Sequence, residues 1–131
     1  MASLAAVSEM VVIKTDGTQT TPMRQPQAES YLVNVLNEAG MGNRLANLKQ
    51  SLNQAFNGQG KPTGSYQFRG KPVLHASSGN GQQSVTLFFY ADGSKLMLFA
   101  MGEHVSSTQY RISIYGQQGD PNFAKGRVIS I

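Results

Sequence analysis

The stretch Ser84-Val85-Thr86-Leu87-Phe88-Phe89-Tyr90-Ala91-Asp92-Gly93-Ser94-Lys95-Leu96-Met97-Leu98-Phe99-Ala100-Met101 decides how this chain folds. Two apolar runs meet at Asp92-Gly93, a dipeptide suited to the positive φ of a tight hairpin turn. Alternation sets Val85, Leu87 and Phe89 against Thr86, Phe88 and Tyr90. In the partner run, Leu96, Leu98 and Ala100 oppose Met97, Phe99 and Met101. Both faces are apolar, so the hairpin reads as a central pair covered on two sides.

Upstream, Met10-Val11-Val12-Ile13-Lys14 before Asp16-Gly17 reads as a first strand, with Thr18 to Thr21 as its returning partner and Pro22 as the end of pairing. Pro26 suits a first helical position, and Glu29 is read as an acid in the first turn. Leu32, Val35, Leu36 and Ala39 repeat at helical spacing until Gly40, so a helix is expected over Pro26 to Ala39. Asn43 reads as the N-cap of a second helix carrying Leu45, Leu48, Leu52, Ala55 and Phe56, closed by Asn57-Gly58. Whether the two form an αα-hairpin or one broken helix stays open at this level.

Residues 57–65 are rich in Gly, Pro, Ser and Thr and read as a mobile connection. Strands then follow at Tyr66–Arg69, Val73–Ser77, the central hairpin, Gln109–Tyr115 and Arg127–Ile131. Helices followed by consecutive strands predict an α+β fold: two N-terminal helices packed on a mainly antiparallel, meander-like sheet. The 131 residues form one domain, with a strand-plus-helical part at 1–56 and a strand-rich basic part at 57–131.

The net charge is +4, and its position matters. Residues 1–56 balance four cations against four acids, whereas residues 57–131 carry seven cations against three acids. Excess charge on the sheet half fits a polyanionic partner, RNA before membrane, because no basic amphipathic helix accompanies it; solubility alone is the plainer explanation. The chain has no cysteine, which excludes disulfides and thiolate metal sites. Met1–Val7 lacks a basic leader region, so a cytoplasmic protein is expected. No phosphate-binding glycine loop, dinucleotide fingerprint or metal-ligand spacing is present, and no cofactor is expected.

Four residues carry the sharpest chemical reading: His75, Glu103, His104 and Arg111. Metal-independent RNA cleavage needs a base for the 2′-hydroxyl, an acid for the leaving oxygen and a cation for the phosphorane, and these side chains suit those roles. Glu103 and His104 share such a site only if the strand stops at Gly102, since neighbours on a strand face opposite ways. The plainer reading is a structural His75 and a solvated Glu103-His104 loop. Lys61, Tyr66, Arg69, Lys71, Tyr115 and Arg127 add the mix of cations and aromatics that single-strand binding uses. Against it, Tyr66 and Phe68 share a face as strand core, and Tyr110 sides with Ile112 and Ile114 on a buried face.

Helices before an antiparallel sheet bearing scattered His, Arg, Glu and Tyr resembles the general layout of small bacterial ribonuclease toxins, a likeness of layout that rests on no motif. It implies a toxin-like endoribonuclease. The alternative is a non-catalytic interaction or oligomerisation module. Met97, Phe99 and Met101 exceed what two helices of about 14 residues cover, leaving an apolar sheet face for a second copy or a protein partner.

Overall fold

The structure, a computed structural model, describes residues 8–131; the Met1–Val7 stretch read above lies outside the described residues. The elements are β1 (Glu9–Val12), α1 (Gln25–Glu38), α2 (Leu45–Phe56), β2 (Lys61–Phe68), β3 (Lys71–Ser78), β4 (Val85–Asp92), β5 (Lys95–His104), β6 (Gln109–Ile114) and β7 (Val128–Ser130). Strands β2 to β7 form an antiparallel meander in chain order, and β1 joins it in parallel beside β5. The fold is α+β with a mainly antiparallel, curled sheet. The helices are not the first elements: β1 precedes them and belongs to the sheet.

Helix α1 begins at Gln25 with Pro26 next, where its missing N–H costs nothing. Glu29 falls beyond the first turn; Gln27 Oε1 instead accepts from the Arg24 N–H at 3.4 Å. Ala28, Leu32 and Leu36 are the buried stripe. Asn43 sits inside a 3₁₀ turn, Gly42–Arg44, and caps nothing with its side chain. The Gln25 amide, at the start of α1, bonds Asn53 near the end of α2, so the two helices run antiparallel as a hairpin. The β1 return extends past Pro22, since Met10 and Met23 exchange both main-chain bonds.

Residues 61–65 are strand, not connection: Lys61 opposes His75 and Phe68 opposes Lys71, with a bulge between. Gly64, at φ +53°, and Pro62 fit there because β2 is an edge strand and bulged. Strand β5 runs three residues beyond Met101. Its first half pairs with β1 and its second half with β6, as Glu103 opposes Arg111 and His104 opposes Tyr110. Gly102 therefore lies inside a strand; a Cβ there would stand 2.1 Å from the Arg111 carbonyl oxygen. Where β1 and β6 diverge from β5, the buried Gln117 amide nitrogen donates to the carbonyls of Phe99, Ile13 and Tyr115 at 2.8, 3.1 and 3.1 Å.

A second bulge changes which residues share a face. Phe88 opposes Ala100 and Phe89 opposes Leu98, leaving Phe99 extra. Phe99 and Ala100 consequently both pack on the concave side, and Met101 moves to the helix side. A register shift opposite Gly102 likewise sends Ile114 to the helix side, away from Tyr110 and Ile112.

The helix-side core joins Leu32, Leu36, Leu48, Leu52 and Ala55 to Val85, Leu87, Phe89, Leu96 and Leu98. The concave core is closed by the sheet's own curl and by Phe123 from the loop before β7. Phe123 meets Phe99, Phe88 and Tyr66 at 5.0, 5.6 and 5.8 Å between ring centroids, and Phe68 stacks on Phe99 at 4.0 Å. Asp120 holds that loop, its carboxylate accepting from the N–H groups of Asn122 and Phe123. The uncovered face expected around Met97, Phe99 and Met101 is thus buried within the chain. No helix among the described residues is long and apolar enough to cross a membrane.

Candidate active-site cleft

Pleat alternation brings the chemistry together. From His75, one step of two along β3 reaches Ser77. Ser77 opposes Thr86 on β4, and His104 ends β5 opposite Tyr110 on β6. His75, Ser77, His104 and Tyr110 line one cleft of about 250 Å³, joined by Lys61 from β2 and by Gln54 and Gln59 from the end of α2 and its exit. Both imidazoles lean on the Tyr110 ring, His104 at 4.4 Å and His75 at 5.6 Å between centroids.

His104 is held at three points. Its main-chain N–H donates to Ser84 Oγ at 2.8 Å, its Nδ1 lies 3.1 Å from the Ser106 carbonyl, and its Nε2 lies 3.0 Å from Ser77 Oγ. A carbonyl only accepts, so Nδ1 carries a proton, and in the neutral ring Nε2 accepts from Ser77. Ser77 Oγ is in turn 2.8 Å from the buried Thr86 hydroxyl. Because a hydroxyl both donates and accepts, Ser77 satisfies His104 in its neutral and its charged form.

His75 is buried, with Nδ1 2.9 Å from Thr63 Oγ1. Burial holds its pKa below the ordinary histidine value, and the Lys61 and His104 charges push the same way. It is therefore neutral at pH 7, the state a proton acceptor needs. Burial also raises the Tyr110 phenol, keeping it uncharged.

Glu103 and Arg111 do not join this cleft. The strand continues through Glu103, so it faces the helices while its neighbour His104 faces the curl. The Glu103 carboxylate is buried 3.2 Å from the Arg44 guanidinium and 3.8 Å from that of Arg111, tying the start of α2 to β6. The expected convergence of four residues divides into a histidine pair and a structural ion triad.

Of the six expected nucleic-acid residues, Lys61 lines the cleft. Tyr66 is half-buried edge-on to Phe123. Arg69, in the β2–β3 turn with φ +54°, lies 5.3 Å over the Phe68 ring and borders a separate hollow with Asp16 and Asp120. Lys71 and Arg127 are exposed at the starts of β3 and just before β7. Tyr115 packs on the helix side, its hydroxyl 3.5 Å from that of Tyr31, and burial with that neighbour raises its pKa. These residues spread over several faces rather than one patch. Ser77, and Thr86 behind it, were not singled out by sequence reasoning, although the two-residue step from His75 to Ser77 was available; Tyr110, read from the sequence as a buried-face residue, is buried and lies against both imidazoles.

Among the described residues, no three His, Asp or Glu side chains gather in a way that could hold a metal ion. No protein-family model matches the chain, and no curated protein and no solved structure matches it significantly.

Proposed function

We propose that this chain cleaves RNA at the His75–His104 cleft by attack of the 2′-hydroxyl on the adjacent phosphodiester. The observation that carries the reading is that both histidines of the chain rest on one tyrosine ring in one cleft with a lysine at its edge. Neutral His75 takes the 2′-hydroxyl proton, and the freed oxygen bonds to phosphorus. Lys61 stabilises the charge on the phosphorane. The bond to the 5′-oxygen breaks as the His104 imidazolium passes its Nε2 proton to Ser77, which gives its own hydroxyl proton to the leaving oxygen. The products are a 2′,3′-cyclic phosphate and a free 5′-hydroxyl. A toxin-like role stays an extension of this reading, supported only by general layout.

A self-association reading rested on an uncovered Met97, Phe99 and Met101 face; those side chains are buried within the chain, which removes that motivation.

The test is incubation of purified protein with single-stranded and structured RNA in the presence of a chelator. Cleavage leaving cyclic phosphate ends is expected, with His75→Ala and His104→Ala each lowering kcat by about 100-fold or more, the range for one proton-transfer group. Lys125→Ala, on an exposed turn, controls for general loss of charge. No cleavage by the parent, or equal losses for Lys125→Ala and His104→Ala, overturns the reading.

A further inference from the structure

His104 stands between two hollows. One is the cleft just described; the other, about 440 Å³, is lined by Asn80, Gly81, Val105, Ser106 and Ser107. His104 is the residue the two share, and each hollow holds one of its ring partners: Ser77 on the Nε2 side and Ser106 on the Nδ1 side. The lining differs in character. The first hollow carries Lys61 and both histidines, whereas the second carries no charged side chain apart from His104 itself. It also contains Val105, which at 45% exposure is one of three large apolar side chains left open to solvent among the described residues.

From this we infer that the second hollow is the subsite for the nucleoside on the 3′ side of the cleaved bond, so that the substrate is single-stranded RNA lying across His104. This rests on the RNA-cleavage reading and adds its polarity. The nucleotide whose 2′-hydroxyl attacks lies with His75 and Lys61. The leaving 5′-oxygen belongs to the next nucleotide and takes its proton from Ser77 on the Nε2 side of His104, so that nucleoside continues past the imidazole toward the Nδ1 side. A hollow with no lysine or arginine, edged by Asn80, Ser106 and Ser107 and by an open apolar side chain, suits a base and ribose better than a second phosphate. Placing successive bases in two hollows separated by an imidazole requires them to be unstacked, which a single strand allows and a duplex does not.

Binding of two uncleavable probes, followed by amide and imidazole NMR signals, tests this. The probes are 2′-deoxyadenosine 3′-monophosphate and the DNA dinucleotide d(ApA), neither of which has the attacking hydroxyl. Both are expected to shift His75 and Ser77, and only the dinucleotide to shift Val105 and Ser107. Val105→Ala, removing two carbon atoms' worth of apolar contact, should weaken the dinucleotide about tenfold and leave the mononucleotide unchanged. A dinucleotide that leaves Val105 and Ser107 unmoved, or a Val105→Ala variant that weakens both probes equally, overturns the subsite alone. Failure of both probes to shift His75, together with absence of RNA cleavage, overturns the reading beneath it.

Discussion

Ser77 Oγ lies 3.0 Å from His104 Nε2 and 2.8 Å from Thr86 Oγ1, forming a hydroxyl chain that ends on an imidazole. Its direction reverses with the charge on His104. Neutral His104 accepts from Ser77, and Ser77 accepts from Thr86; charged His104 donates, and Ser77 donates onward. One side chain thus supports both protonation states that an acid catalyst must visit.

Ser77→Ala breaks this chain and strands the buried Thr86 hydroxyl, so a stability loss of about 1–3 kcal/mol is expected in denaturant melts. Adding Thr86→Val removes the stranded group and should recover most of that loss. RNA cleavage should stay low in the double variant. Recovery of both stability and activity together would show that Ser77 acts only as packing.

The depressed His75 pKa gives a pH dependence with a definite sign. Below the ordinary histidine value near 6.5 the unfolded chain binds a proton that the folded chain resists. The stability that His75 contributes is therefore present above that pH and lost as pH falls through its folded pKa. Thermal melts from pH 7.5 to 5 should show a falling Tm, and His75→Asn should flatten that fall. An identical pH profile in the variant would mean that other groups carry the dependence.

Gly102→Ala should cost about 3 kcal/mol or more, because its Cβ meets a backbone carbonyl that moves only if β5 and β6 separate. Gly93→Ala has open space around it and is strained only by its φ of +63°, so about 1 kcal/mol is expected there. Equal losses for the two would argue against the β5–β6 register described above.

Glu103→Gln separates structure from chemistry. It removes the charge facing Arg44 and Arg111, and because Arg111 is 47% exposed only part of the pairing is shielded from water. A loss of about 1–3 kcal/mol is expected, with kcat for RNA cleavage within about twofold of the parent below the melting transition. A kcat loss comparable to that of His104→Ala would return Glu103 to a catalytic role.

What the amino-acid sequence determined by itself is local. Asp92-Gly93 between apolar runs specifies the β4–β5 hairpin. The spacing of Leu32, Leu36, Leu48 and Leu52 specifies two amphipathic helices, and the density of turn residues after Ser65 specifies a meander. These follow from φ preferences and from periods of two and 3.6, which act over a few residues. The tertiary structure decided everything that depends on a bulge or on closure. One extra residue at Phe99 curls the sheet, turns Met101 to the helices and lets Phe123, from a distant loop, close the face expected to be open. The same long-range pairing carries β5 through Gly102, because β6 supplies the partner carbonyls, and so sends Glu103 and His104 to opposite faces. His75, Ser77 and His104 were each visible as residue types; their meeting on Tyr110 depends on the register of three strand pairs, which no short window of sequence contains.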